Sequence, residues 1–118
     1  MATSDYVLWH NPRCSKSRGA LELLAERGIE PELRDYLGQP PTVAELQALL
    51  AALGIQARQM LRSGESAYAE LGLNDPSLDE AQLLTVMAAH PKLIERPILV
   101  TGHRAMIGRP PERVLELL

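Results

Sequence analysis

Nine residues near the N-terminus, HNPRCSKSR at positions 10–18, contain the only cysteine of the chain. A strand is predicted before this segment and a helix after it, so Cys14 is expected at a helix start. Unpaired backbone amides and the positive end of the helix dipole favour a thiolate there. His10 can add positive charge or a hydrogen bond, Ser17 a hydroxyl donor, and Arg18 a nearby cation. The segment therefore predicts a nucleophilic thiolate in a loop whose successive N–H groups would also bind a tetrahedral oxyanion.

The ordinary alternative is a buried, inert cysteine, which is common for a lone thiol. Pro12, Arg13 and the polar run after Cys14 are poor surroundings for a core residue, which favours reactivity. Residue 17, where a Cys-X-X-Cys enzyme carries its second thiol, is serine. Any redox cycle at Cys14 therefore needs an external thiol, such as glutathione or a thiol protein.

Composition and charge restrict the class of protein. The 118 residues carry 12 Lys and Arg against 15 Asp and Glu, a net charge of -3. This length fits one domain, and the negative charge argues against general nucleic-acid binding. The single cysteine, and the lack of a signal-like segment or a long apolar run, predict a cytoplasmic protein with no membrane association. The histidines form no metal-ligating pattern and no nucleotide-binding glycine loop occurs, so neither a metal nor a bound cofactor is expected.

The elements that must position Cys14 come first in the chain. The β-branched, aromatic and apolar residues of 5–10 predict a strand, and the apolar spacing of 15–27 predicts a helix that ends at Gly28. Residues 30–37 alternate weakly and predict a second strand. The N-terminal third is therefore expected to form a βαβ unit.

The rest of the chain changes pattern twice. Residues 42–90 are predicted to be mostly helical, with capping boxes that begin at Thr42 and at Ser77. Residues 97–107 predict a hairpin that turns at Gly102-His103. A last helix is predicted from the Pro110-Pro111 pair to the end of the chain. The element order is βαβ, helical insert, ββα.

The HNPRCSKSR segment resembles the active-site loop of the ArsC family, the glutaredoxin-coupled arsenate reductases with a thioredoxin-like fold. Further matches cover nearly the full chain, in the order YLGQPPT, ARQMLRSGE, HPKLIERPILV and IGRPPERVLELL. The resemblance implies an α/β, thioredoxin-like fold with a mixed four-stranded sheet, in one domain over residues 1–118 with a helical insert at about 42–90. Ser15-Lys16 replaces the glycine and threonine of the plasmid-borne enzymes, and the chain ends at Leu118, so it resembles the shorter, chromosomally encoded members.

The resemblance also implies residue roles. Cys14 would be the nucleophile, with His10 and Ser17 tuning its thiolate. The three oxyanion-binding arginines of the family match Arg62, Arg96 and Arg109. A guanidinium is a rigid, always charged and bidentate donor, which suits arsenate, although an arginine is more commonly a solvated surface charge. The supporting positions are Asn11, Arg18 and Pro97. Arg62 is expected in a helical stretch, and the family's proline at position 97 is cis and lies beside the nucleophile.

The activity implied is the reduction of arsenate to arsenite through a covalent adduct on Cys14. Glutathione would be the thiol co-substrate, glutaredoxin the protein partner, and the enzyme a monomer. Two alternatives remain. Spx-type regulators share this fold and bind RNA polymerase, but they commonly carry a Cys-X-X-Cys switch, which Ser17 disfavours. A thiol oxidoreductase with another substrate is the second alternative, because fold does not determine function.

Overall fold

The computed structural model describes residues 5–118, which divide into two compact units. The first unit consists of two segments, the N-terminal one, which ends at Gln39, and Arg96–Leu118. The second unit is the intervening segment Pro40–Glu95. The predicted helical insert at about 42–90 falls inside the second unit.

The first unit is built on a mixed sheet. Within the described residues it has four strands in the order β2-β1-β3-β4: β1 (Val7–Trp9), β2 (Glu32–Arg34), β3 (Ile98–Thr101) and β4 (Arg104–Ile107). β1 runs parallel to β2 and antiparallel to β3, and Leu8 lies opposite both Leu33 and Leu99. β3 and β4 form the predicted hairpin around Gly102, whose φ is +59°. The expected α/β class with a mixed, thioredoxin-like sheet is confirmed.

One face of this sheet is covered by α1 (Ser15–Glu26) and by the 3-10 helix Pro111–Leu117. Their shared apolar core consists of Leu8, Ala20, Leu24, Leu99, Val114 and Leu117. The last element was predicted as an ordinary helix, and this detail is wrong because it is a 3-10 helix throughout. A 3-10 helix has three residues per turn, so Val114 and Leu117 lie on one side and are both buried.

The second unit is helical, with α2 (Val43–Leu53), α3 (Ala57–Met60), α4 (Ser66–Glu70), α5 (Glu80–Ala89) and the 3-10 turn Pro91–Leu93. α5 packs against both α2 and α3. Thr42 and Glu45 form the predicted capping box, and α2 ends at Gly54 in the left-handed region, with φ +71°. Among residues 5–118, no helix is long and apolar enough to cross a membrane.

The predicted start of α5 is wrong by two residues. The capping box is formed by Asp79 and Gln82 rather than by Ser77 and Glu80. The Ser77 hydroxyl and amide both donate to Asp75 Oδ1, at 2.8 and 2.9 Å. Because these groups are engaged in a turn, Ser77 does not cap the helix.

Candidate active site

The strand register brings three segments to one edge of the sheet. β1 and β3 pair Trp9 with Ile98, and β3 and β4 pair Ile98 with Ile107. Both pairs are antiparallel, so the residues just beyond them lie side by side. Those residues are His10, Pro97 and Gly108. The Gly108 amide donates to the Pro97 carbonyl at 2.8 Å, which continues the ladder past the strands.

Most of the predicted site residues belong to segments that start or end at this edge. The Cys14 loop follows His10, Arg96 directly precedes Pro97, and Arg109 directly follows Gly108. Residues that are more than 80 positions apart in the chain are therefore placed together by three short strands. This explains why none of these segments can form the site by itself.

Cys14 is the N-cap residue of α1, as the sequence predicts. Its backbone is extended, with φ -93° and ψ 123°, and its carbonyl accepts the first helical hydrogen bond from the Arg18 amide at 3.0 Å. The first amides of a helix have no acceptor inside the helix. Cys14 as a whole residue is 9% exposed. It is therefore sheltered at the positive end of a twelve-residue helix.

The backbone amides of the loop before α1 donate to acceptors within the loop and α1 rather than pointing to an oxyanion. Asn11 donates its amide to Ser17 Oγ at 3.0 Å, and Arg13 donates to Asn11 Oδ1 at 3.0 Å. The Cys14 amide donates to the Asn11 carbonyl at 2.9 Å. The prediction that successive loop amides bind an oxyanion is therefore wrong for residues 11–14, because these bonds hold the tight turn into the helix. Asn11 is instead the central support of the loop.

His10 and Ser17 form a buried pair. His10 Nδ1 lies 3.0 Å from Ser17 Oγ, and Ser17 is fully buried. Burial lowers the pKa of His10 below its ordinary value, and the nearby Arg18 charge lowers it further. A neutral imidazole at pH 7 cannot supply the positive charge that was one of its two predicted contributions. The hydrogen bond remains, and it goes to Ser17.

Arg18 closes the loop from outside. Its Nη1 donates to the Pro12 carbonyl at 2.8 Å, which ties the first turn of α1 to the loop before it. Arg18 therefore has two effects: it fixes the loop shape and it disfavours a proton on His10.

Arg96 and Arg109 occupy similar local settings. Each precedes a proline, and both the Arg96–Pro97 and the Arg109–Pro110 peptide bonds are cis. The cis bond at Pro97 agrees with the ArsC resemblance. Arg109 Nε donates to the Arg96 carbonyl at 3.0 Å, and the Nε and Nη1 atoms of Arg96 are buried. The Arg109 guanidinium is thus anchored to the backbone of Arg96.

Arg62 belongs to the second unit and lies in a turn, so its predicted helical setting is wrong. An isolated bridge between Leu61 and Ile94 follows α3, and the Arg62 amide donates to the Leu93 carbonyl at 2.8 Å. These bonds draw the backbone out of the helical path. The Glu65 amide then donates to the Arg62 carbonyl at 3.2 Å and closes the turn.

Two carboxylates that are not predicted from the sequence lie next to the Arg62 guanidinium. Nη1 donates to Glu65 Oε2 at 2.9 Å, and Nε lies 3.7 Å from Glu95 Oε1. The three-residue spacing of Arg62 and Glu65 was a possible signal for the first pair. No local signal connects Arg62 with Glu95, because the contact depends on the bridge between Leu61 and Ile94.

The described part of the chain contains no group of three or more His, Cys, Asp or Glu residues that could hold a metal ion. The chemistry that the first unit supports is covalent. It offers one sheltered thiol at a helix start, an uncharged His10–Ser17 pair behind the loop, and two arginines at the same sheet edge. This combination suits attack by sulfur on an anionic electrophile.

Comparison with known proteins gives consistent matches over nearly the whole chain. A model of the ArsC family matches residues 9–117. An arsenate reductase of Neisseria meningitidis serogroup A is 48% identical over 115 residues, covering 97% of this chain and 98% of that protein. The uncharacterized protein YfgD of Escherichia coli K12 is 50% identical over 117 residues, covering 98% of each chain. The solved structure of an arsenate reductase from Vibrio cholerae superposes with a TM-score of 0.95 at 48% identity, covering 99% of this chain and all of that one.

Proposed function

Because the chain belongs to the ArsC family, we propose that it is a thiol-dependent arsenate reductase with Cys14 as its nucleophile. The observation that carries this proposal is the position of the only cysteine as the N-cap of α1. The loop that carries it starts at the same edge of the sheet as the backbone of Arg96 and of Arg109. A thiolate and cationic donors at one edge are what attack on a tetrahedral oxyanion requires.

The covalent step follows from this placement. The Cys14 thiolate attacks the arsenic of arsenate, a sulfur–arsenic bond forms, and one oxygen leaves as water after it gains a proton. The arginines at positions 62, 96 and 109 neutralise the remaining oxygens, and the first amides of α1 add donors beside the sulfur. Arsenic is still in its oxidised state at this point, so the adduct needs two further electrons.

His10 acts on Cys14 through Ser17 in this proposal. Ser17 Oγ already accepts the Asn11 amide. If neutral His10 donates its Nδ1 hydrogen to the same oxygen, both lone pairs of Ser17 are used and its hydroxyl hydrogen is left to donate. Ser17 lies three residues after Cys14, on the same side of the helix start. The hydroxyl is thus proposed to stabilise the Cys14 thiolate, with His10 as the residue that orients it.

The electrons must come from outside the chain, because Cys14 is its only cysteine. We propose that glutathione supplies a thiol to the adduct and that glutaredoxin reduces the mixed disulfide formed. Arsenic keeps the electron pair of its broken bond to sulfur and leaves as arsenite. This chemistry consumes reduced thiols, which supports the cytoplasm as the compartment. We further propose that residues 1–118 act as one monomeric domain whose helical insert supplies Arg62.

The test is a coupled assay with purified protein, arsenate, glutathione, glutaredoxin and a system that reports the consumption of reductant. Wild type should turn over, and Cys14→Ser should not. Replacement of glutaredoxin by thioredoxin should abolish turnover if the proposed donor is correct. Activity that survives Cys14→Ser would exclude the mechanism. Retention of RNA polymerase on the protein without any arsenate turnover would favour a regulatory role instead.

A further inference from the structure

The Arg62 guanidinium is held inside a small acidic cluster in the second unit. Glu65 accepts a 2.9 Å hydrogen bond from Nη1, and Glu95 lies 3.7 Å from Nε. The side chains of Arg62 and Glu65 are 24% and 29% exposed, so a small solute can reach them. One cation between two carboxylates gives this cluster a local charge of about -1 when all three are ionised. An arginine that simply attracted anions would not be expected in such surroundings.

We propose that Arg62 and Glu65 together select oxyanions that still carry a proton. This inference rests on the proposed function, in which Arg62 is one of the oxyanion ligands. It assigns to Glu65 a role in specificity that the sequence does not indicate. Arsenate and phosphate belong to the selected class, and sulfate belongs to the rejected one.

The selection follows from donor and acceptor chemistry. Glu65 engages one hydrogen of Nη1 and Glu95 faces Nε, so Nη2 and the second hydrogen of Nη1 are left to donate to a ligand. The Glu65 carboxylate, which is bound to Nη1, is an acceptor only. An oxyanion with an O–H group can therefore accept from Arg62 and donate to Glu65 at the same time. Sulfate has no proton at neutral pH, so its oxygens meet the carboxylate as unmatched acceptors and like charges.

The backbone that carries Arg62 is also fixed on both sides. Its amide is bonded to the Leu93 carbonyl at 2.8 Å, and its own carbonyl accepts the Glu65 amide at 3.2 Å. The turn that holds Arg62 therefore also holds Glu65, and the donor and the acceptor keep a constant relation to each other. This is the property that a site needs if it is to distinguish two anions of similar size.

The experiment measures the dissociation constants of inorganic phosphate and inorganic sulfate on the full chain by isothermal titration calorimetry. Wild type should bind phosphate at least about tenfold more tightly than sulfate. Glu65→Gln keeps an oxygen acceptor for Arg62 but removes the charge, and its amide can donate to sulfate. This variant should lose about tenfold of the preference, mainly through tighter sulfate binding. Glu65→Asp, which retains the carboxylate, should keep most of the preference.

Glu116→Gln is the matched control. Arg113 and Glu116 form an ion pair with the same three-residue spacing, at 3.6 Å, but it is exposed and in the first unit. This variant should leave both dissociation constants unchanged. An unchanged ratio in Glu65→Gln would overturn the proposal. Equal weakening of both anions would also overturn it, because Glu65 would then only orient Arg62.

Arsenate turnover is measured on the same protein preparations, so that the proposed reaction and the proposed anion selectivity are tested separately. A wild-type protein that shows the anion preference but reduces no arsenate contradicts the proposed reaction and leaves the selectivity standing. A wild-type protein that reduces arsenate while Glu65→Gln keeps the full preference contradicts the selectivity alone.

Discussion

The side chain of Arg109 is bound to the backbone of Arg96: its Nε atom donates a hydrogen bond of 3.0 Å to the Arg96 carbonyl oxygen. One candidate oxyanion ligand thus fixes the backbone that carries another. A guanidinium carries its donors on three nitrogens in one rigid plane, so a contact through Nε also sets the direction of the two terminal nitrogens. A lysine ammonium has no equivalent side donor, so charge alone does not reproduce the arrangement.

Arg109→Lys should therefore lower kcat/KM for arsenate by at least about tenfold although the charge is kept. The free energy of unfolding should change by less than about 1 kcal/mol, because the lost bond involves a partly exposed side chain. Steady-state kinetics and urea denaturation measure the two effects. Arg113→Lys, at the exposed pair with Glu116, should change neither kcat/KM nor the free energy of unfolding. Full activity of Arg109→Lys would show that only its charge matters.

Ser17→Ala should destabilise the protein. Ser17 is fully buried, and its hydroxyl satisfies both the Asn11 amide and His10 Nδ1. Alanine would leave two polar groups without their partner, at a cost of about 1–3 kcal/mol in urea denaturation. Ser15→Ala, on the exposed side of the same helical turn, is the control and should change stability by less than about 0.5 kcal/mol. Comparable losses in both variants would contradict a specific role for the Ser17 hydroxyl.

Stability should depend on pH through His10. Burial, with a smaller contribution from Arg18, lowers the pKa of His10 in the folded chain below its ordinary value of 6.5. Between these two pKa values the unfolded chain binds more protons than the folded one, so the free energy of unfolding falls as pH falls below about 6.5. His10→Asn should flatten this part of the profile relative to the wild type. Urea denaturation at several pH values between about 5 and 7.5 gives both profiles.

The sequence predicts best what depends on neighbouring residues. The helix start at Cys14, the capping box at Thr42 and the hairpin turn at Gly102 each follow from short local patterns, and the structure confirms them. The predicted start of α5 is wrong because two local patterns compete. Ser77 and Asp79 are both good caps, and the choice between them depends on Asp75, which engages Ser77 first.

Long-range contacts are what the sequence cannot supply without a known relative. The bond between Arg109 and Arg96 and the contact of Arg62 with Glu95 depend on strand register or on a single bridge. The lowered pKa of His10 is equally hidden from the sequence, because it depends on burial that only the folded chain produces. A family resemblance can name such arginines, but their partners become visible only in the structure.

Gly108→Ala should disturb the sheet edge where the site residues meet. A Cβ atom at Gly108 would lie 2.8 Å from Pro97 Cγ and 2.9 Å from Val114 Cγ1, both closer than van der Waals contact allows. Pro97 has a rigid ring and Val114 is fully buried, so neither can move aside without displacing the core. We expect a loss of about 1–3 kcal/mol in the free energy of unfolding. Because Pro97 directly follows Arg96, arsenate turnover should fall as well, even at temperatures where the variant is folded.

Gly64→Ala provides the comparison, since a Cβ atom there would meet nothing within 4 Å. Its unfolding midpoint in urea should stay close to that of the wild type. Unfolding curves of equal slope for the three proteins would show that Gly108→Ala acts on the native state rather than on the denatured chain. A Gly108→Ala protein as stable as Gly64→Ala and as active as the wild type would mean that Pro97 can move aside at this edge. In that case the close packing of Gly108 would not be what holds Arg96 in place.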